Sequence, residues 1–314
     1  MTRFAKYAWG VLIYNISVII WGTYVRATGS GAACGAHWPL CNGEVIPLAP
    51  QTATLVEYSH RLMSGLALIS TVILIVWAFR AYPKKHLARF GSTLSLIFMI
   101  SEALVGAGLV LFKLAGENTS IVRAFTTSIH LVNTFLLLAV LTLTAWWASG
   151  GRALHIRSDK RSWLFIIGFV AMLIVGTSAA IAALGAALFP AQSFAAGFAA
   201  DLDPTSHLFL RLRVFHPFIA IAVGLYVMIL SASFGLTHRH ARRFAVALII
   251  IIAVQWIVGV VNVLLLAPAW MQMFHLLITD ALWITFILMI ATLFGDAATV
   301  VETLGDSPLP LPAK

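Results

Sequence analysis

The stretch Ala245-Val-Ala-Leu-Ile-Ile-Ile-Ile-Ala-Val254 is apolar at every position, and it runs on to Leu266 with only the amides Gln255 and Asn262 interrupting it. A membrane-spanning strand would alternate apolar and polar residues over about 10 positions. Here nothing alternates, and the same holds for Val72 to Phe79. About 20 apolar residues at about 1.5 Å each cross a hydrocarbon core roughly 30 Å thick. The stretch therefore reads as a transmembrane helix.

Working outward from it, seven further runs of this kind fall near residues 7–26, 56–79, 90–112, 122–147, 162–185, 209–234 and 270–294, beside the one at 244–266. The chain of 314 residues is 61% hydrophobic and only 10% charged, against about 25% charged in soluble domains. A soluble enzyme is excluded, and the expectation is an all-α polytopic membrane protein with eight spans. The net charge of +9 would suggest nucleic acid in a soluble protein. In a membrane protein, Lys and Arg instead record orientation, and no nucleic-acid partner is expected. Arg3, Lys6, Arg80, Lys84, Lys85, Arg89, Arg152, Arg157, Lys160, Arg161, Arg239, Arg242 and Arg243 all fall on one side of an eight-span topology, which places both termini in the cytoplasm. The first span reads as a retained helix rather than a signal peptide, Ala32-Ala33-Cys34 being the nearest cleavage-like sequence. Residues 297–314, rich in proline, read as a disordered cytoplasmic tail.

The two halves look like copies. Gly22-Thr23 recurs as Gly176-Thr177, and Glu102-Ala-Leu-Val-Gly106 is answered by Gln255-Trp-Ile-Val-Gly259. Gly22 lies 38 positions before His60 and Gly176 lies 40 before His216, while His130 and His275 follow the second anchor. This predicts tandem, pseudo-symmetric four-helix bundles over residues 1–150 and 151–296.

His60, His130, His216 and His275 fall one each on the even-numbered spans, toward the outer side. A neutral imidazole in lipid needs partners, so intramembrane histidines face an interior, a pathway or a cofactor. Two imidazoles facing each other across a bundle make a haem iron site, pairing His60 with His130 and His216 with His275. Zinc would want further ligands that the spans lack. Arg26, Arg61, Arg123, Arg211 and Arg213, with Lys113, sit at outer helix ends against the orientation rule, where they could meet haem propionates or simply snorkel to headgroups. Glu102 and Asp280 read as groups for interhelical hydrogen bonds or water contacts rather than a proton path, and Asn133, Gln255 and Asn262 as helix glue.

One segment carries a family resemblance. Gly22-Thr-Tyr-Val-Arg26-Ala-Thr-Gly-Ser-Gly31, then Cys34-Gly-Ala-His-Trp-Pro-Leu-Cys41-Asn-Gly, then Glu57-Tyr-Ser-His60-Arg61-Leu-Met-Ser-Gly65 resemble the haem A synthases. The resemblance implies a membrane oxidoreductase that converts the C8 methyl of haem O to a formyl group by successive hydroxylation, in a bacterial plasma membrane or an inner mitochondrial membrane. It implies that His60 and His130 embrace the substrate haem O or the product haem A, that His216 and His275 bind haem b iron, and that Glu57 is catalytic. Haem O synthase would then be the haem donor and cytochrome oxidase assembly the recipient, with the electron donor unspecified and a homo-oligomer allowed. The chain departs from some members by having no cysteine in residues 186–208, and Glu57 has no twin, since Arg213 stands three residues before His216.

Glu57 and His60, three apart, share a helix face, so the carboxylate can sit beside a haem edge. Thr54-Leu-Val-Glu57 also reads as a capping box for the second span. Cys34 and Cys41, the only cysteines, read as a disulfide pair, either a structural clip or a redox-active couple. Two other readings share the four histidines: a di-haem b-type cytochrome that passes electrons between quinol and an acceptor, and a two-repeat transporter with a histidine proton relay.

Overall fold

The computed structural model describes residues 1–295, so the tail expected over 297–314 lies outside the described residues. Eight helices among them are long and apolar enough to cross a membrane. The first four are α1 (Arg3–Ala27), α2 (Thr52–Ala81), α3 (Leu87–Leu111) and α4 (Ile121–Ala148), followed by α5 (Lys160–Leu188). A short outer-loop helix, α6 (Phe194–Leu202), comes next. The sixth span is built from α7 (Leu208–Arg213), α8 (Phe215–Leu230) and a π-helical turn over Ser231–Gly235, and α9 (Arg242–Leu264) and α10 (Ala269–Leu293) complete the set.

Local chemistry sets the boundaries. Thr2, Ser120, Asp159 and Ser193 each cap a helix by accepting a backbone N–H with the side-chain oxygen. The second span departs from the expected capping box. Its helix starts at Thr52 with Gln51 at the cap, three residues too early for Thr54 to cap it, and Glu57 turns to the preceding loop instead. The sixth span breaks at Val214 because Pro217 has no N–H to give to the carbonyl of Arg213 one turn earlier.

Among these helices α1 packs on α2 and α4, α3 on α2 and α4, α5 on α4 and α8, and α10 on α9, α1 and α4. Lipid tails are as apolar as the side chains, so close fit and hydrogen bonds rather than water exclusion hold such helices together. The best-buried aromatics mark the seam. Trp283 on α10 donates to the carbonyl of Phe135 on α4 at 2.7 Å, its ring lies 4.9 Å from that of Phe169 on α5, and Phe286 beside it is fully buried. The connector between α4 and α5 is tied back to the end of α10, His155 N–H donating to Phe294 O at 2.8 Å and Arg161 to Leu293 O at 3.1 Å. Eight apolar helices of this kind make the protein a multi-pass membrane protein.

Candidate functional site

The seam encloses one cavity of about 1500 Å³ whose wall includes His60, His130, His216 and His275. His60 on α2 lies within electrostatic reach of His130 on α4, and His216 on α8 within reach of His275 on α10. Glycines hold the rings' space open: a Cβ at Gly22 would come within 2.9 Å of His60 Cε1, one at Gly259 within 3.3 Å of His275 Cε1, and one at Gly106 within 3.7 Å of His130 Cε1. The fourth repeat anchor differs, because Gly176 makes room for Phe135 rather than for His216. His216 Nδ1 is bonded to Ser178 Oγ at 2.9 Å. The Nδ1 atoms of His60, His130 and His275 are buried without a hydrogen-bond partner, an arrangement that ordinarily costs free energy unless something else satisfies it. Among the described residues no cluster of three or more His, Cys, Asp or Glu could cage a metal ion; what the cavity offers is imidazoles in twos.

The first pair has a neighbour that the second lacks. Glu57 is buried in the cavity wall, where its Oε2 accepts the Cys34 N–H at 2.7 Å and its Oε1 accepts from Arg61 at 2.5 Å. Arg61 also donates to the carbonyls of His37 and Leu40, so carboxylate, guanidinium and loop form one unit. Cys34 and Cys41 form a disulfide with both residues fully buried. Beyond Cys41 the chain reverses through Asn42 and Gly43, both at positive φ, as a two-residue hairpin turn requires, and Cys41 and Glu44 exchange backbone hydrogen bonds at 2.9 Å.

The outer-end arginines divide. Arg26, Arg61, Arg123 and Arg213 line the cavity, whereas Arg211 does not and bonds to Pro204 O in the loop. Arg123 gives its Nη1 to the carbonyls of Gly116 and Asn118. Arg213 is held by Asp201 at 2.6 Å and by Gly197 O; burial pushes the Asp201 carboxyl above its ordinary range, against the pull of that guanidinium. Arg26 keeps a free donor. Its Nη2 reaches Gln272 Oε1 at 3.2 Å, while its Nη1 is buried with no partner.

The family model described as cytochrome oxidase assembly protein, COX15-CtaA, matches residues 5–287. The chain belongs to this family. Its curated relatives include a protoheme IX farnesyltransferase of Thermus thermophilus, 49% identical over 310 residues, which are 97% of this chain but 50% of the relative. A heme A synthase of Exiguobacterium sibiricum is 28% identical over 227 residues, 72% of this chain and 73% of the relative. A second, from an Exiguobacterium sp., is 32% identical over 185 residues, 59% of each. The chain thus spans about half the length of the Thermus relative.

Within this COX15-CtaA chain two expectations need correcting. Asp280 does not bridge helices: it is fully buried and both carboxylate oxygens lack a hydrogen-bond partner, the nearby Trp283 N–H being spent on Phe135. Asn262 lines the cavity with its Oδ1 unbonded instead of gluing helices. Two residues were missed. Ser178 follows the Gly176-Thr177 anchor directly, and Gln272 precedes His275 by three, as Glu57 precedes His60; those offsets were the available signals.

Proposed function

We propose that this protein carries out the haem A synthase reaction, oxidising the C8 methyl of haem O to a formyl group in successive steps within a bacterial plasma membrane. In this reading residues 1–150 form the substrate half, with His60 and His130 on either side of haem O or haem A, and residues 151–296 form the haem b half, with His216 and His275 as the iron ligands. The observation that carries it is the asymmetry of the cavity wall: two similar histidine pairs, of which only the first has a buried carboxylate, Glu57, wired to a disulfide-bonded loop. A protein that only passed electrons would need the pairs without that carboxylate.

The residues suit the group that this reading requires. Unbonded ring nitrogens on His60 and His275, and glycines at 22 and 259 where a Cβ would crowd those two rings, suit imidazoles that would hold a haem iron. The iron, when bound, supplies the oxidising chemistry. Glu57, fixed by Cys34 N–H and Arg61, keeps its remaining lone pairs for a proton leaving the oxidised carbon, a positioned-base role typically worth about 10²–10⁴ in rate. The unpaired Nη1 of Arg26 is the best placed of the arginines for a propionate, followed by Arg123, Arg61 and Arg213 in the wall and Arg211 at the rim.

The Thermus relative is named for farnesyl transfer to protohaem, and half of its length has no counterpart here. This supports a prenyltransferase as the donor of haem O, with cytochrome oxidase assembly as the recipient of haem A. Mass analysis of haem extracted from the purified protein tests the reading. Haem b together with haem O or A is expected. Haem b alone, or no haem, overturns it.

A further inference from the structure

The second repeat anchor hides a change of one functional group. In the first half Glu102 on α3 meets α4 through three contacts: Oε1 accepts from Thr134 Oγ1 at 2.5 Å, Oε2 accepts from Asn133 Nδ2 at 2.5 Å, and Oε1 lies 3.4 Å from His130 Nδ1. Asn133 is itself braced by Ser101 and by Phe98 O. In the second half Gln255 on α9 meets α10 in the same way: its amide nitrogen lies 2.6 Å from Thr279 Oγ1, 3.1 Å from His275 O and 3.1 Å from His275 Nε2. Thr134 and Thr279 each stand four residues after their histidine, with Oγ1 2.9 Å from its carbonyl oxygen. The two networks share the threonine and histidine positions but not the rest: Asn133 and Ser101 have Ile278 and Val254 in their places, and Glu102 faces Nδ1 of its histidine where Gln255 faces Nε2. A carboxylate only accepts, whereas the amide nitrogen only donates.

We infer that Glu102 is a positioning residue that makes His130 the stronger electron donor of the two repeat-related ligands. This rests on the histidine-pair reading above. An imidazole whose second nitrogen gives its N–H to a carboxylate is fixed in orientation and becomes more basic toward a metal. Glu102 stands where it can take that proton, the Thr134 and Asn133 donors holding the carboxylate in place. Gln255 cannot do so, since it presents N–H where Glu102 presents a lone pair, and it competes for the lone pair of His275. A stronger donor stabilises the oxidised iron more than the reduced iron. The sequence thus biases the substrate side toward oxidation through a carboxylate where the second half carries an amide.

Reciprocal exchange on the full-length purified protein tests this, with midpoint potentials read by spectroelectrochemical titration and each haem assigned through a His130→Ala variant. Glu102→Gln, which copies the second half, should raise the reduced-to-oxidised ratio of the N-terminal haem at fixed potential by about tenfold, or about 59 mV for one electron, leaving the C-terminal haem unmoved. Gln255→Glu should lower the C-terminal potential. Haem bound at native stoichiometry with both potentials unmoved overturns the inference alone. If Glu102→Gln sheds its haem, the Gln255→Glu variant decides, and an unmoved C-terminal potential overturns the inference. A wild-type protein without haem overturns the histidine-pair reading, and this inference with it.

Discussion

The outer loop of the first half, residues 28–51, and that of the second half, residues 189–207, cover the same cavity by different means. The first is cross-linked by Cys34–Cys41 and reaches the buried carboxylate through the Cys34 N–H and Arg61. The second carries α6, strapped to the wall by the Asp201–Arg213 pair, and contains no cysteine. A covalent staple whose backbone touches Glu57 holds that carboxylate to a fixed geometry. A helix held by one ion pair needs only to close a lid. The difference teaches that two halves alike in where they carry their histidines differ in how they are covered.

The largest expected effects break the comparison outright. His216→Ala and His275→Ala should each abolish a low-spin haem b spectrum while the protein stays in the membrane; an unchanged visible spectrum in both would sink the assignment. His60→Ala and His130→Ala should instead stop formyl formation with the C-terminal spectrum intact, as read by mass analysis of extracted haem.

Glu57→Gln sharpens the contrast. The amide oxygen can still accept the Cys34 N–H, but the charge facing Arg61 and the capacity to take a proton are gone. Haem A output should fall by about 10² or more, with the melting temperature held and haem O or its hydroxylated form accumulating. Native turnover in this variant would make Glu57 a loop anchor.

A third expectation separates the two covers. Replacing Cys34 and Cys41 by Ser should lower stability by about 2–4 kcal/mol and reduce formyl formation, because the Cys34 N–H loses its place at Glu57. The C-terminal haem spectrum should not change. Thiol labelling of the unaltered protein should add mass only after reduction. The smallest effect belongs to the second cover: burial already holds the Asp201 carboxyl up against its partner's pull, so Asp201→Asn should cost no more than about 1 kcal/mol in thermal unfolding and leave formyl formation intact.

Much of this was legible in the sequence, for reasons that differ by residue. The spans could be read because a bilayer fixes their length, and the second, expected at 56–79, is found at Thr52–Ala81. The four cavity histidines could be singled out because an imidazole in an apolar run demands a partner. The helix α6 was not read, since nine residues rich in alanine lie below the length a span requires. The true environment of Glu57 was equally hidden. A contact from the second helix to a backbone N–H in the preceding loop depends on how that loop folds over, and no periodicity records it. The opposed polarity of Glu102 and Gln255 was present in the letters, but its meaning needed the two threonines placed beside them.

One feature of the cavity wall bears on kinetics. Leu62, Leu66 and Ile69 on α2 line the cavity and are each more than half exposed, so this stretch of the wall is both apolar and open. On the proposed reading, a prenylated substrate reaching it through the bilayer would meet the site at a rate set by its mole fraction in the membrane and not by its concentration in the aqueous phase. Dilution of the surrounding lipid, at constant protein and constant buffer volume, should therefore slow turnover as surface dilution slows a two-dimensional reaction.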